Sequence, residues 1–265
     1  MRWMVLPWLL ACLSVSAQSG LTLLSHDLPP FTEYRDGKLD GFAIRLIDEV
    51  QQELGTRYPV RIYPLKRALA LARVEPGYGL FVVQRLPERE SHFKWVGPLF
   101  INRVFIYQVP GNRHPLTSLA QLRDLPRVGV VLGNADDVRL THEGYTNLVR
   151  YQTVAEAIDR LMLGKIDALP MAELVMDATL DKMGLSRRSV ASSGVLLHQA
   201  GLYIVFSKGT DDTEITRWQH ALDAVRAAQG RAVAAPAKSN RHTRPRTRIP
   251  PISKGATQRQ QFISR

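Results

Sequence analysis

The 265-residue chain contains one cysteine, Cys12. A lone thiol forms no intramolecular disulfide and no CxxC redox or zinc pair, so packing alone has to hold the fold. There is no HExxH sequence and the seven histidines are scattered. Neither a metal site nor a cofactor is therefore expected. No later segment approaches the 18 uninterrupted apolar residues that a membrane-spanning helix would need. Acidic residues are missing altogether from residues 231–265, which hold nine of the 35 lysines and arginines. The formal charge of +11 is accordingly uneven, because the first 230 residues carry 26 basic residues against all 24 acids, a net of +2. The body is nearly neutral and the basic excess lies in the tail.

The first twenty residues, MRWMVLPWLLACLSVSAQSG, open with one cation, Arg2, followed by an apolar run from Trp3 to Leu13 and then small residues. Val15-Ser16-Ala17 fits a signal-peptidase site, so residues 1–17 read as a signal peptide and export as a soluble protein is expected. A lipoprotein box at Leu9-Leu10-Ala11-Cys12 is the alternative; the leucine before the small residue and the short leader count against it. The tail has four prolines, one aromatic and no hydrophobic periodicity. Such a composition cannot bury enough surface to fold, so residues 231–265 are expected to be disordered. A basic arm for nucleic acid or an anionic membrane is the alternative; with one aromatic available for base stacking, no nucleic-acid partner is expected.

Between these ends the pattern alternates between short apolar runs and amphipathic stretches, which predicts an α/β protein. Strands are expected at 21–25, 60–63, 80–84, 104–109, 127–132, 166–171 and 202–206. Phe42, Leu46, Ile47, Val50 and Leu54 predict a helix stopped by Gly55. Further helices are expected over 66–74, 118–125, from the GNADD loop, from Thr153 to Gly164, over 172–183, and over 212–229 before Gly230. Thr153 and Glu156 form a capping box. Two α/β halves of similar size suggest a ligand cleft between lobes.

Four motifs then fall in a fixed order. LPPFTEYRDGKLDGFAIRLIDEVQQELG resembles the first-lobe opening of the type 2 periplasmic solute-binding proteins of polar amino-acid ABC transporters. RLPERESHFKWVGPLF is similar to that family's arginine turn, aromatic strand and hinge approach. LRDLPRVGVVLGNADDVRL resembles its second-lobe strand and ligand loop, and VAEAIDRLMLGKIDALPM its later helix and strand. The resemblance spans about residues 21–230. It implies a bilobal α/β fold of two lobes joined by two crossing strands, near Leu99–Phe105 and Leu196–Tyr203. Lobe 1 would hold 18–101 and 203–230, and lobe 2, with the hinge strands, 102–202. The implied function is non-enzymatic capture of a small carboxylate-bearing ligand, an amino acid or relative, by a periplasmic monomer that serves an ABC permease. A dehydratase-like enzyme on the same scaffold, or a ligand-sensing module for a signalling partner, are the alternatives.

The resemblance also assigns residues. Arg89 would pair with the ligand carboxylate, a role that suits a planar guanidinium fork; the alternative is a solvated turn arginine paired with Glu88 or Glu90. Arg85 either faces the cleft or braces the turn. Phe31 and Tyr34 would wall the ligand, with core packing the alternative for Phe31. Gly133, Asn134 and Ala135 would offer backbone N–H groups at a helix start, while Asp136 and Asp137 read as helix caps. Where family members place an ammonium-binding aspartate this chain has Ala172. Either the neighbouring Glu173 takes over that contact or the ligand is not an ordinary α-amino acid.

Overall fold

The computed structural model describes residues 20–74, 77–112 and 115–234. The expected signal peptide, Cys12 and the chain from residue 235 onward lie outside the described residues.

The element order begins β1 (Thr22–Ser25), β2 (Glu33–Arg35), β3 (Lys38–Asp40), α1 (Phe42–Leu54), β4 (Val60–Ile62), α2 (Leu65–Val74) and β5 (Tyr78–Gln84). A single helical turn, α3 (Pro87–Glu90), leads into the long strand β6 (Phe93–Gln108). Then come β7 (Val128–Val131), α4 (Ala135–His142), β8 (Leu148–Tyr151), α5 (Val154–Met162), β9 (Leu169–Ala172) and α6 (Glu173–Lys182). The second long strand, β10 (Ala191–Ser207), and the helix α7 (Asp212–Ala234) complete the order.

Strand β1 shows how the first lobe is layered. Alternate side chains of a strand point to opposite faces. Leu23 enters the core that holds Ile47 of α1 and Trp218 of α7, and Leu24 packs with Ala68 and Ala72 of α2 on the other face. Buried on both sides, β1 runs parallel to β4 and β5, as expected for a sheet covered by helices on both faces. Helix α1 stops at Gly55, whose left-handed backbone (φ 66°) lets its N–H reach the carbonyls of Gln51 and Gln52. The ring of Trp218 lies 5.6 Å from Phe206 and 6.3 Å from Tyr58, which ties α7 to the sheet.

Strands β6 and β10 pair antiparallel from Phe93↔Ser207 to Gln108↔Ala191. One end of the pair joins the first lobe through β10 and β5. The other joins the second lobe through β6 and β9. There β7 and β8 run parallel, with Val128 bridged to Ala168 just before β9, and α5 covers them with Ala157, Ile158 and Leu161. These two continuous strands cross between two α/β lobes, and the strand-end loops of both lobes face a common cleft.

The structure departs from the predicted elements in several places. The expected helix at 118–125 is a short 3-10 turn over Ala120–Arg123. Strands 104–109 and 202–206 are the ends of the much longer β6 and β10. Helix α7 does not stop at Gly230 but continues to Ala234, four residues into the stretch expected to be disordered, because a glycine weakens a helix interior by only about 1 kcal/mol. The hairpin β2–β3 turns at Asp36-Gly37, where both residues have positive φ.

Candidate functional site

The site starts from the turn after β5. Leu86 is extended, as a residue before proline prefers, and Pro87 opens α3, where its missing N–H removes no helical bond. This turn sends the two flanking arginines in opposite directions. Arg85 points outward and binds Glu90 through Nε–Oε1 (2.5 Å) and NH2–Oε2 (3.0 Å). Its guanidinium lies 5.3 Å from the Trp95 ring and 5.8 Å from that of Tyr203. Arg85 thus braces the turn and does not line the cavity described below.

Arg89 points inward and is 7% exposed. Its NH1 donates to the Gln84 carbonyl and its NH2 to the Gly133 carbonyl, both at 3.0 Å. The second bond crosses from the first lobe to the second. No carboxylate lies within ion-pair distance of Arg89 among the described residues; Glu88 and Asp136 act only through their fields. Burial pulls its pKa down to about 10, opposed by those two carboxylates, so the group stays charged at neutral pH. A buried guanidinium held only by carbonyl oxygens is a costly arrangement unless an anion joins it.

Across the cleft, Asn134 caps α4 by accepting from Asp137 N (2.8 Å), and Asp137 Oδ2 accepts from Gly133 N (2.8 Å). These two side chains satisfy the helix start. Asp136 is left free to turn inward, where it is 5% exposed and 2.7 Å from Nε2 of the buried His198. His198 Nδ1 lies 3.4 Å from Gln84 Nε2. Both contacts are satisfied when Nε2–H donates to Asp136 and Nδ1 accepts from Gln84. A buried chain Gln84–His198–Asp136 therefore stands beside Arg89 and gives it a nearby counter-charge.

His26, at the end of β1, is also buried, and its Nδ1 has no hydrogen-bond partner among the described residues. Burial first, and then the charge of Arg89, lower its pKa from 6.5 to about 4. The folded pKa lies below the unfolded one, so between pH 6.5 and 4 the unfolded chain holds the extra proton. Stability should be complete above pH 6.5 and fall as the pH drops through this window. The expected loss from pH 7.5 to pH 5 is about 2 kcal/mol. Urea unfolding at the two pH values measures it, and a His26→Gln variant should lose that part of the pH dependence.

His26, Gln84, Arg89, Asn134, Ala135 and Asp136 line one cavity of about 70 Å³, which is otherwise largely apolar and includes Val104, Met171, Ala172 and Leu202. Three of the residues singled out from the sequence, Arg89, Asn134 and Ala135, thus meet here, and Gly133 reaches the same place through its carbonyl. Ala172 lies in the cavity wall and offers no charge there. Glu173 does not replace it. That side chain is exposed in the first turn of α6, and its charge acts on Tyr107, whose phenol is pushed up to about 12 mainly by burial. Phe31 is 1% exposed and packs against Phe42 and Phe100 at ring distances of 6.4 and 5.1 Å, so it belongs to the core. Tyr34 is 57% exposed and borders a separate open groove with Phe42, Leu174 and Asp177.

Sequence reasoning missed His26, Gln84 and His198 and read Asp136 as a cap. The available signal for His26 and Gln84 was their place at the carboxyl ends of β1 and β5, where α/β sheets gather ligands. Nothing local marked His198, which enters through long-range strand pairing.

No protein-family model matches the chain, and no curated protein sequence does. Solved structures do resemble it. A histidine kinase sensor domain with similarity to periplasmic binding proteins superposes with a TM-score of 0.72 at 18% identity, over 81% of this chain and 94% of that one. The holo arginine-binding protein of T. maritima gives a TM-score of 0.68 at 18% identity, over 78% and 91% of the two chains. An amino acid ABC transporter substrate-binding protein of Streptococcus pneumoniae, bound to L-arginine, gives 0.68 at 16% identity, over 80% and 91%. With its two α/β lobes and two crossing strands, the chain has the bilobal periplasmic-binding-protein-like fold that these amino-acid-binding proteins and sensor domain share.

Proposed function

We propose that this protein captures a small carboxylate-bearing solute, an amino acid or a close relative, in the cleft between its lobes and releases it unchanged. One observation carries the reading: Arg89 is a buried cation that lines a cavity, reaches both lobes, and has no carboxylate paired to it among the described residues. A ligand carboxylate can use the remaining N–H groups of the fork, in a charge-assisted bond strengthened by the surrounding apolar wall. Asn134 and Ala135 stand on the opposite side of the same space, and the lobes close on the solute by movement about β6 and β10. In this reading the first lobe comprises residues 18–101 and 203–230, the second lobe 102–202, and the chain is exported to the periplasm to supply an ABC permease. Arginine bound in two of the structural neighbours supports a carboxylate-bearing ligand. Resemblance to a histidine kinase sensor domain supports a second reading, in which closure reports the solute to a signalling partner.

A thermal-shift screen of the purified protein against amino acids and simple carboxylates tests the common core of both readings. A true ligand at one hundred times its Kd adds about 2.7 kcal/mol, which for a chain of this size raises Tm by roughly 5–11 °C. A complete absence of shifts across the carboxylates would count against capture.

A further inference from the structure

The Arg89 cavity does not end blindly. His26, Leu28, Leu65, Asn134 and Met171 also line a second cavity of about 590 Å³ between the two lobes. That volume is within the range of pockets that enclose whole small molecules, roughly 300–1,000 Å³. Its walls are mainly apolar, with Ile62 and Pro64 from one lobe facing Val131, Leu132 and Val154 from the other.

We infer that the solute is a carboxylate with a bulky, mainly apolar body, its carboxylate held by Arg89 and its body filling this larger cavity. The inference rests on the reading of Arg89 as the carboxylate anchor. The charges around the larger cavity narrow the class further. Lys66 borders it without an ion pair among the described residues, and Lys182 is matched by Asp27 at 3.3 Å. Among the described residues no unpaired acid remains in that wall to receive a cationic side chain. L-Arginine, the ligand of one structural neighbour, would leave its guanidinium in an apolar cavity beside Lys66. Acetate or glycine would reach Arg89 but leave most of the larger cavity unfilled.

Calorimetric titration of the full chain with acetate, L-arginine, L-phenylalanine and phenylacetate tests this. At least one aromatic acid should bind ten times or more tighter than acetate and L-arginine. An Ala155→Trp variant, which places an indole in the wall of the larger cavity, should bind that acid at least tenfold more weakly than the unmodified protein. The panel on the unmodified protein decides the matter even if that variant does not fold. Acetate or L-arginine binding as tightly as both aromatic acids would overturn the inference and leave the Arg89 anchor standing. Failure of all four acids to bind would overturn both.

Discussion

Arg89→Ala will lower the affinity for the captured carboxylate by about a hundredfold or more. Truncating one partner of a buried charge-assisted pair costs about 2–5 kcal/mol, and 2.7 kcal/mol already corresponds to about a hundredfold. Arg89→Lys will recover only part of the loss, because an ammonium keeps the charge but not the planar fork that can serve Gln84, Gly133 and a carboxylate together. The variant's own stability separates a binding role from a structural one. In the unliganded protein Arg89 is a desolvated cation held by two carbonyl oxygens, so its removal relieves a burial penalty as it removes two hydrogen bonds. The melting temperature of the unliganded variant should therefore stay within a few degrees of the parent, while the ligand-induced shift disappears. Collapse of the unliganded variant would instead make Arg89 a scaffold residue.

Asp136→Ala will produce the largest loss of stability. Its carboxylate is buried, 2.7 Å from His198 Nε2, and receives Asn134 Nδ2 at 3.3 Å. Its field also acts on Arg89 from across the cleft. Removing the carboxylate forfeits a hydrogen bond to a charged group and leaves the imidazole N–H buried without an acceptor, at about 1.5–3 kcal/mol. For a chain of this size that lowers Tm by roughly 3–12 °C. The double variant Asp136→Ala/His198→Leu should recover part of the loss, since the apolar replacement leaves no orphaned imidazole, and the double-mutant cycle gives the coupling directly. Additive losses would show that the pair does not act as a unit. Asp136→Asn, which preserves size and one acceptor, should fall between parent and alanine variant.

The order of elements was largely legible in the sequence because the apolar spacing of α1, α5 and α7 is that of one-sided helices, and β1, β5 and β7 are short apolar runs. The two long strands were legible only at their ends. The first half of β10, Ala-Ser-Ser-Gly-Val-Leu-Leu-His, is rich in small and polar residues, and its strand character comes from pairing with β6, a contact far removed in sequence. The hairpin β2–β3 did carry a signal, Asp36-Gly37 between short alternating segments.

Within the site, Arg89 was legible because Pro87 dictates a turn at the end of a strand. Its separation from Arg85 was not, since the difference rests on Glu90, Trp95 and Tyr203 drawing Arg85 outward. Asp136 and Asp137 look alike as helix-start acids, yet Asp137 takes the Gly133 N–H and Arg150 while Asp136 turns toward His198. Only the packed structure assigns the two their different partners. Glu173 suited a charge that Ala172 had left vacant, but the first turn of α6 points its side chain to solvent.

The most direct test of Arg89 as the carboxylate anchor uses the unmodified protein. The tightest-binding acid and its primary amide, nearly identical in shape, are titrated side by side by calorimetry at neutral pH. The account predicts that the acid binds about a hundredfold tighter or more, since only the carboxylate answers the buried guanidinium. Equal affinities for acid and amide would contradict it.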